Sequence, residues 1–149
     1  MVDLELTLSP DDRRFYTLEG VGTLRLTFAS RGATAETGVD SWRITNRRWW
    51  RGAMDATDAA GTAVGSFEPH TLRRGGTMRW DARELTLRPA SRWRERYALA
   101  DDSDRELVIL DGKGSTRRPV TITVEDPGAI EPGLLLFAAF LVRGFAASS

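Results

Sequence analysis

Apolar and polar residues alternate along the chain until about its last twenty residues. A period of two is typical of strands that have one face buried and the other exposed to solvent. The apolar positions that follow this period are Leu4, Leu6 and Leu8; Leu24, Leu26 and Phe28; Trp42 and Ile44; Met78 and Trp80; Leu85 and Leu87; Trp93, Tyr97 and Leu99; Leu107 and Ile109; and Val120, Ile122 and Val124. The pattern therefore predicts a mainly β protein.

Short turn signals, rich in Asp and Gly, separate these runs. They are Asp58-Ala59-Ala60-Gly61, Arg74-Gly75-Gly76, Asp81-Ala82-Arg83, Asp101-Asp102-Ser103-Asp104 and Asp111-Gly112-Lys113-Gly114. From Arg48 to Lys113 the turns recur at intervals of about ten residues, which is typical of an antiparallel meander that closes into a barrel or a sandwich. The stretch from Ser30 to Asp40, rich in Gly, Thr, Ala and Ser, is predicted to be a loop or a weak edge strand.

The pattern changes near the end of the sequence, where it predicts a helix. Asp126-Pro127-Gly128 is a turn signal, Pro132 suits the first turn of a helix, and Glu131 complements the positive end of the helix dipole. Every residue from Leu134 to Val142 is apolar, so the helix has no polar face. Such a helix must be surrounded by protein.

Many antiparallel strands and a helix that is apolar all round are explained together if the helix lies inside a closed wall of strands. We therefore predict a closed antiparallel β-barrel of about ten to twelve strands, with a C-terminal hydrophobic α-helix threaded through its centre, as a single domain over residues 1–149. Arg143 complements the negative end of the helix dipole, and Gly144 is predicted to terminate the helix. The alternative is a lipocalin-like barrel with the helix packed outside, but such a helix would keep one polar face.

Composition restricts the possible chemistry. The sequence has 21 basic and 21 acidic side chains, no cysteine and one histidine, His70. The charge balance disfavours nucleic acid as a partner. The missing cysteines exclude disulfides, thiolate metal sites and thiol nucleophiles, and a single histidine excludes a multi-histidine metal site. We expect no cofactor, no metal and no catalytic residue.

The sequence also bears on the location of the protein. Residues 1–5 contain neither a basic segment nor an uninterrupted apolar run, so no secretory signal is expected. The longest apolar run, from Leu134 to Val142, would span about 14 Å as a helix, against the roughly 30 Å of a bilayer core. No transmembrane segment is expected, and the predicted location is cytoplasmic, with peripheral contact to a membrane as a further option.

The order of hairpins followed by an apolar helix resembles a known superfamily. The features that carry the resemblance are Asp126, Ile130, Leu134 to Val142, the hairpin from Gly76-Thr77-Met78-Arg79-Trp80 through Leu85-Thr86-Leu87, and Tyr97-Ala98-Leu99-Ala100-Asp101. From Trp42 to Phe145 this pattern is similar to the tubby C-terminal-like superfamily, which includes tubby proteins, phospholipid scramblases and LURP-one-related proteins. The resemblance implies a barrel threaded by its closing helix and a function in lipid or protein binding.

The sequence departs from two branches of this superfamily. It has neither the cysteine-rich lipidated segment nor the membrane-spanning end of the scramblases, so lipid scrambling is not implied. Tubby proteins bind phosphoinositides through basic residues, but their binding residues have no individual counterparts here. No functional residue is therefore transferred.

Charge is balanced only over the whole chain. Residues 41–96 contain twelve arginines and six acidic residues, whereas the segments before and after them are each net negative. The arginines predicted on the outer side of the strands are Arg79, Arg88, Arg92, Arg94 and Arg96. Because guanidinium groups pair well with phosphoryl oxygens, this stripe is a candidate surface for anions. The competing interpretation is an ordinary solvated barrel exterior.

Arg47-Arg48-Trp49-Trp50-Arg51 is the densest basic and aromatic cluster. In a strand, Trp49 and Trp50 point to opposite faces, so one indole belongs to the core and the other is available to a membrane interface or a partner protein. The competing interpretation places the outer indole beneath arginine side chains as a cation–π pair.

Three further motifs point to structure rather than chemistry. His70 lies in a predicted connection without an adjacent nucleophile, the acidic residues Asp101 to Asp104 lack the spacing of a calcium loop, and Gly112 to Thr116 lacks the upstream glycine of a phosphate loop.

The sequence therefore predicts a non-catalytic barrel that binds anionic lipid headgroups or a protein through a basic outer face. The alternative is a small-ligand carrier or an enzyme of the lipocalin-like type.

Overall fold

A computed structural model describes residues 1–27, 32–48, 52–91, 95–112 and 119–148. Its elements are β1 (Val2–Leu8), β2 (Phe15–Leu18), β3 (Gly22–Thr27), β4 (Gly32–Glu36), β5 (Ser41–Arg48), β6 (Ala53–Asp58), β7 (Ala63–Pro69), β8 (Gly76–Trp80), β9 (Arg83–Pro89), β10 (Arg96–Ala100), β11 (Glu106–Asp111), β12 (Val120–Val124), a 3₁₀ turn (Pro127–Ala129) and α1 (Pro132–Ser148). Phe28 and Trp93, which belong to the alternating pattern, lie outside the described residues.

The twelve strands form one closed antiparallel barrel. Strands β2 to β12 follow one another around the wall as a meander, and β1 closes it by pairing with both neighbours. Val2 is opposite Val124 on β12, and Leu6 is opposite Leu18 on β2. Closure gives every strand two partners and leaves no free edge. The predicted fold class, including the upper strand number, is confirmed.

The alternation of the sequence decides which side chains face inward. On β8 and β9, Met78 faces Leu85 across the ladder and both are buried, whereas the next pair, Arg79 and Glu84, points to solvent. One pattern is only partly correct. On β11 the inward rows of β10 and β12 continue through Val108 and Leu110, so Ile109 is not on the inward face, whereas Leu107 is also buried. The run from Leu107 to Leu110 is apolar throughout, so alternation alone does not distinguish its two faces.

The segment predicted as a loop or a weak edge strand is a full member of the wall. Within it, β4 pairs with β3 on one side and β5 on the other. Ala33 and Ala35 are buried, and the helix contacts this part of the wall. Small side chains have low strand propensity, but here they leave room for the helix, so tertiary packing outweighs propensity.

The helix α1 lies inside the barrel, as predicted. All residues from Leu134 to Val142 are buried. The helix contacts β3, β4 and β5 and also β10, β11 and β12, which lie on opposite sides of the closed ring. The helix fills the space that a lipocalin-like barrel keeps for its ligand, so the alternative with an outer helix is wrong.

The helix continues beyond Gly144, its predicted end, and runs to Ser148. Phe145 explains the extension, because its ring centroid lies 5.0 Å from that of Tyr97 and 5.9 Å from that of Phe67. The apolar wall therefore still supports the helix one residue past the glycine. At the other end, Gly133 is needed for close packing, since a Cβ atom there would lie 2.5 Å from Cζ2 of Trp80.

The direction of the helix distinguishes the two ends of the barrel. The entry rim, where the helix begins, consists of the connections 19–21, 37–40, 59–62, 81–82, 101–105 and 125–131. The exit rim, where the helix ends, includes the described connecting residues 9–14, 52, 70–75, 90–91, 95, 112 and 119. Every entry-rim connection is described in full.

Candidate functional site: two rims of opposite charge

The entry rim is strongly acidic. Its six connections carry nine carboxylates and one arginine, Arg105. The carboxylates are Glu19, Asp40, Asp81, Asp101, Asp102, Asp104, Glu125, Asp126 and Glu131. Several of them shape the connections: Oδ1 of Asp101 accepts hydrogen bonds from the backbone N–H groups of Ser103 and Arg105. The acidic group at 101–104 is therefore a turn, as predicted.

The described part of the exit rim is basic. Its connecting residues and the end of the helix carry five arginines and three carboxylates, which are Arg13, Arg14, Arg73, Arg74 and Arg143, and Asp11, Asp12 and Glu95. Three more arginines and one carboxylate stand at strand ends on this rim, since Arg47 and Arg48 end β5, Arg96 begins β10 and Asp111 ends β11. The neutral sequence thus folds into a barrel whose charge differs in sign between its ends.

The candidate stripe on the outer wall is only partly assembled. Arg79 and Arg88 point outward as predicted, but they lie at different heights, because Arg79 is opposite Glu84 and Glu84 is four residues before Arg88 on β9. Four residues of a strand span roughly 13 Å. These two arginines therefore do not lie side by side on the wall.

Both wall arginines are also paired with carboxylates. An Arg79 guanidinium nitrogen lies 3.6 Å from a carboxylate oxygen of Glu84. Arg88 donates hydrogen bonds to Asp104 and, at 3.2 Å, to Glu106. The hydrogen bond to Asp104 is the main reason that the pKa of Arg88 is raised, and Glu106 adds to it. These carboxylates already occupy the positions where an anionic ligand would bind.

The other candidate residues belong to the exit rim or are not described. Arg96 is exposed at the start of β10, and its carbonyl accepts a hydrogen bond of 2.7 Å from the N–H of Ala90. The side chains of Arg47 and Arg48 are not described. Trp49, Trp50, Arg51, Arg92 and Arg94 lie outside the described residues.

A cluster around Arg74 holds the connection between β7 and β8 against the wall. Arg74 donates a hydrogen bond of 2.6 Å to the carbonyl of Ser91, lies 3.4 Å from Oε1 of Glu95, and places its guanidinium 5.6 Å from the ring centroid of Tyr97. The Tyr97 hydroxyl donates to Oε2 of Glu95 at 2.9 Å. Burial, and secondarily this bond to Glu95, raises the pKa of Tyr97, so the phenol stays protonated.

This cluster borders a shallow pocket of about 340 Å³. Its lining includes His70, Arg73 and Arg74, together with Glu95 and Tyr97. His70 lies in the connection between β7 and β8, as predicted, and its backbone N–H donates to the carbonyl of Gly75 at 2.9 Å. The pocket brings a histidine and two arginines together at the basic end of the barrel.

Leu72 and Arg73 stand at the tip of the same connection and were not predicted to be functional. The exposed fraction of Leu72 is 97%. Arg73 is also exposed and forms no ion pair with any described residue. The sequence contains a signal for a basic loop with an apolar tip, because an apolar residue followed by two arginines directly precedes Gly75-Gly76. The turn signal at the same place indicated only a change in chain direction.

Comparison with protein-family models, with curated proteins and with solved structures finds no match for this chain. Within the described residues, no helix is both long and apolar enough to cross a bilayer, and acidic residues and His70 form no group that could hold a metal ion. The two rims, with their opposite charges, are therefore the candidate functional surfaces of the barrel.

Proposed function

We propose that this chain is a tubby-like, non-catalytic barrel domain that binds anionic phospholipid headgroups through its basic exit rim. The observation that carries the proposal is the tip of the connection between β7 and β8. There a fully exposed leucine, Leu72, stands beside the exposed Arg73 at the end of the barrel where arginines outnumber carboxylates.

The distribution of charge favours the rim over the outer wall. Arg79 and Arg88 are compensated by neighbouring carboxylates on the wall. Arg73 has no such partner among the described residues, whereas its neighbour Arg74 is paired with Glu95. Each basic side chain near an anionic membrane surface contributes about 1 kcal/mol of attraction. A few arginines on one rim are therefore enough for reversible binding.

Leu72 adds a contribution that charge alone does not supply. An aliphatic side chain at the tip of a basic loop enters the interface between headgroups and acyl chains, while neighbouring arginines stay at the phosphate level. An isolated exposed leucine is common on protein surfaces, but this one directly precedes two arginines on the basic rim. The position of Leu72 thus supports a membrane rather than a dissolved anion.

The other predicted function is less well supported by the fold. A small-ligand carrier or an enzyme of the lipocalin-like type requires a cavity inside the barrel. Here the residues from Leu134 to Val142 of the helix occupy that space and are buried. If the protein does not bind membranes in the following experiment, a protein partner at the exit rim is favoured instead.

Flotation with vesicles tests the proposal. We expect the protein to float with phosphatidylserine-containing and phosphoinositide-containing vesicles at low salt, to float less at physiological salt, and not to float with neutral vesicles. Preference for a phosphoinositide over phosphatidylserine at equal charge would assign a shaped headgroup site, and equal binding a diffuse basic surface. Absence of flotation with every vesicle would contradict the proposal and direct the search to proteins.

Two pairs of variants locate the membrane-binding surface. Arg73→Glu is expected to weaken binding by about tenfold or more, whereas Arg105→Glu on the entry rim makes the same charge change with little effect. Leu72→Ser is expected to weaken binding about fivefold, and Val39→Ser, at an equally exposed position on the entry rim, is its control. If the control variants lose as much binding as their partners, the exit rim is not the surface.

A further inference from the structure

A second candidate site lies at the opposite end of the barrel, on the entry rim. A crevice of about 300 Å³ opens there between the start of β1, the turn 19–21 and the start of the helix. Its walls include Leu4, Val21, Ile130 and Leu135, and Val2 lies at its edge with 39% of its surface exposed. We name this crevice the entry pocket. Its volume is at the lower end of the range for ligand pockets, about 300 to 1,000 Å³.

The entry pocket is formed by fixed parts of the fold. Its far wall is the segment that leads from β12 into the helix, and three contacts hold that segment. Arg83 on β9 lies 2.7 Å from Oε1 of Glu131 and donates to the carbonyl of Ala129 at 3.1 Å. The side chain of Asp126 accepts from the N–H of Gly128 at 3.1 Å and shapes the turn. The apolar walls are therefore in place before any partner binds.

The charged side chain in the lining of the entry pocket, and those next to it on the far-wall segment, are acidic. Glu19 is exposed in the lining, and Glu125 and Asp126 lie exposed on the segment that forms the far wall. No basic side chain is found among the described lining residues. Glu131, the next acidic residue, is compensated by Arg83. A ligand that fills the pocket therefore presents an apolar group between positive charges.

We propose that the entry pocket binds a short basic segment of a partner protein, with one Leu, Ile or Met side chain in the pocket and Lys or Arg residues on both sides. The aliphatic side chain contacts Val21, Ile130 and Leu135, and the flanking cations face Glu19 and Glu125. The arrangement is that of a buried apolar anchor inside a charged rim. This interaction is independent of the membrane proposal, because it uses the other end of the barrel.

Titration of the full chain with peptides, followed by NMR of the methyl groups, tests the proposal. The probe is the acetylated and amidated pentapeptide Lys-Arg-Leu-Arg-Lys. We expect it to shift the methyl signals of Val21, Ile130 and Leu135. The matched peptides Lys-Arg-Ser-Arg-Lys and Glu-Asp-Leu-Asp-Glu lack the anchor or the positive charge and are expected to leave these signals unchanged. No shift with the first peptide, or equal shifts with the serine peptide, would overturn the proposal.

Paired variants separate the pocket from the general acidity of the rim. Glu19→Lys at the pocket is expected to weaken binding of the leucine peptide about fivefold, and Asp102→Lys, the same charge change elsewhere on the rim, less than twofold. Val2→Ser is expected to weaken binding about threefold, and Val39→Ser not at all. Equal losses of peptide binding within either pair would show that the rim attracts the peptide only through its overall negative charge. The assignment of the pocket would then be wrong.

A second copy of the chain is the competing occupant, because Leu72 and Arg73 on the exit rim have the same chemistry as the probe peptide. Sedimentation equilibrium distinguishes the two. A constant monomer mass at all concentrations supports a separate partner. A mass that rises with concentration, and that returns to the monomer value in the Leu72→Ser variant, would assign the pocket to head-to-tail self-association and overturn the proposal.

Discussion

The entry rim and the exit rim of this barrel are built from the same kinds of short connections, yet their charges have opposite signs. Nine carboxylates and one arginine stand in the entry-rim connections, whereas arginines outnumber carboxylates in the described part of the exit rim. On the wall between them, Arg79 and Arg88 are paired with carboxylates. The difference shows that a neutral chain can present two surfaces of opposite charge.

The central helix supports the same polarity. Its N-terminus carries the positive end of the helix dipole and lies at the acidic rim, and its C-terminus carries the negative end and lies at the basic rim. Because the helix is enclosed by the barrel, solvent screens its dipole less than that of a surface helix. The direction of the dipole agrees with the charges of the rims, but the first turn of the helix has no acidic side chain and its last turn has no basic one.

The variant with the largest expected effect on stability tests whether both rims depend on the same hydrophobic core. Phe137→Asp places an unpaired carboxylate in the middle of the helix, where Phe137 is fully buried and lies 6.0 Å from the ring of Trp80. We expect a loss of at least about 5 kcal/mol, comparable with the whole stability of a typical domain. Circular dichroism and tryptophan fluorescence would show an unfolded chain.

The matched control for this prediction is Leu72→Asp, which introduces the same side chain at an exposed position. It is expected to change the free energy of unfolding by no more than about 0.5 kcal/mol. A folded Phe137→Asp variant would contradict the threaded barrel.

Two variants with intermediate expected effects on stability compare the contacts that hold the helix at each rim. Arg83→Met removes the ion pair with Glu131 and the hydrogen bond to Ala129 at the entry rim. Arg143→Met removes the hydrogen bond of 2.6 Å to the Tyr16 hydroxyl and the contact with its ring at the exit rim. We expect losses of about 1 to 2 kcal/mol and about 1 kcal/mol, respectively, in urea unfolding.

The double variant tests whether the rims are coupled. Since the two arginines lie at opposite ends of the helix, their losses are expected to add to within about 0.5 kcal/mol. A clearly non-additive loss would show that movement of the helix at one rim is transmitted to the other.

The smallest effect concerns the pH dependence of the exit rim. Hydrogen bonds from the Arg14 backbone N–H and then from the Arg25 side chain lower the pKa of Asp12 below its usual 3.8. A lowered pKa means that the ionised carboxylate stabilises the fold at neutral pH and that this contribution is lost as the pH falls below 3.8 and through the folded-state pKa. Asp12→Asn should therefore be slightly less stable than the wild type at pH 6, with the difference vanishing toward pH 2. A difference that persists at pH 2 would contradict this origin.

Much of the fold could be predicted because the relevant signals are local. Alternation at Leu4 to Leu8 and at Leu24 predicted strands that the structure confirms, and the apolar run from Leu134 to Val142 predicted the enclosed helix. The errors fall where a local signal is weak or ambiguous. The stretch that contains Ala33 and Ala35 was predicted only as a loop or a weak edge strand, because the small size of these residues is explained by the helix beside them.

The candidate sites were less predictable than the fold. The stripe that included Arg79 and Arg88 was identified from strand periodicity, which indicates the side of the sheet but not the neighbours across it. The pairing of Arg88 with Asp104 and Glu106 depends on the register between β9, β10 and β11. Leu72 in the turn was overlooked because its exposure cannot be read from its neighbours in the sequence.

The sequence by itself determined the strand and helix periods, the need to enclose the helix, and the neutral total charge, because each depends on residue types and their spacing along the chain. Only the tertiary structure decided that acidic connections gather at one rim and arginines at the other, and that an apolar pocket opens beside Glu19. In a meander every second connection returns to the same end of the barrel, so residues that are far apart in sequence share a rim. Their combined field and the shape between them exist only after the barrel has closed.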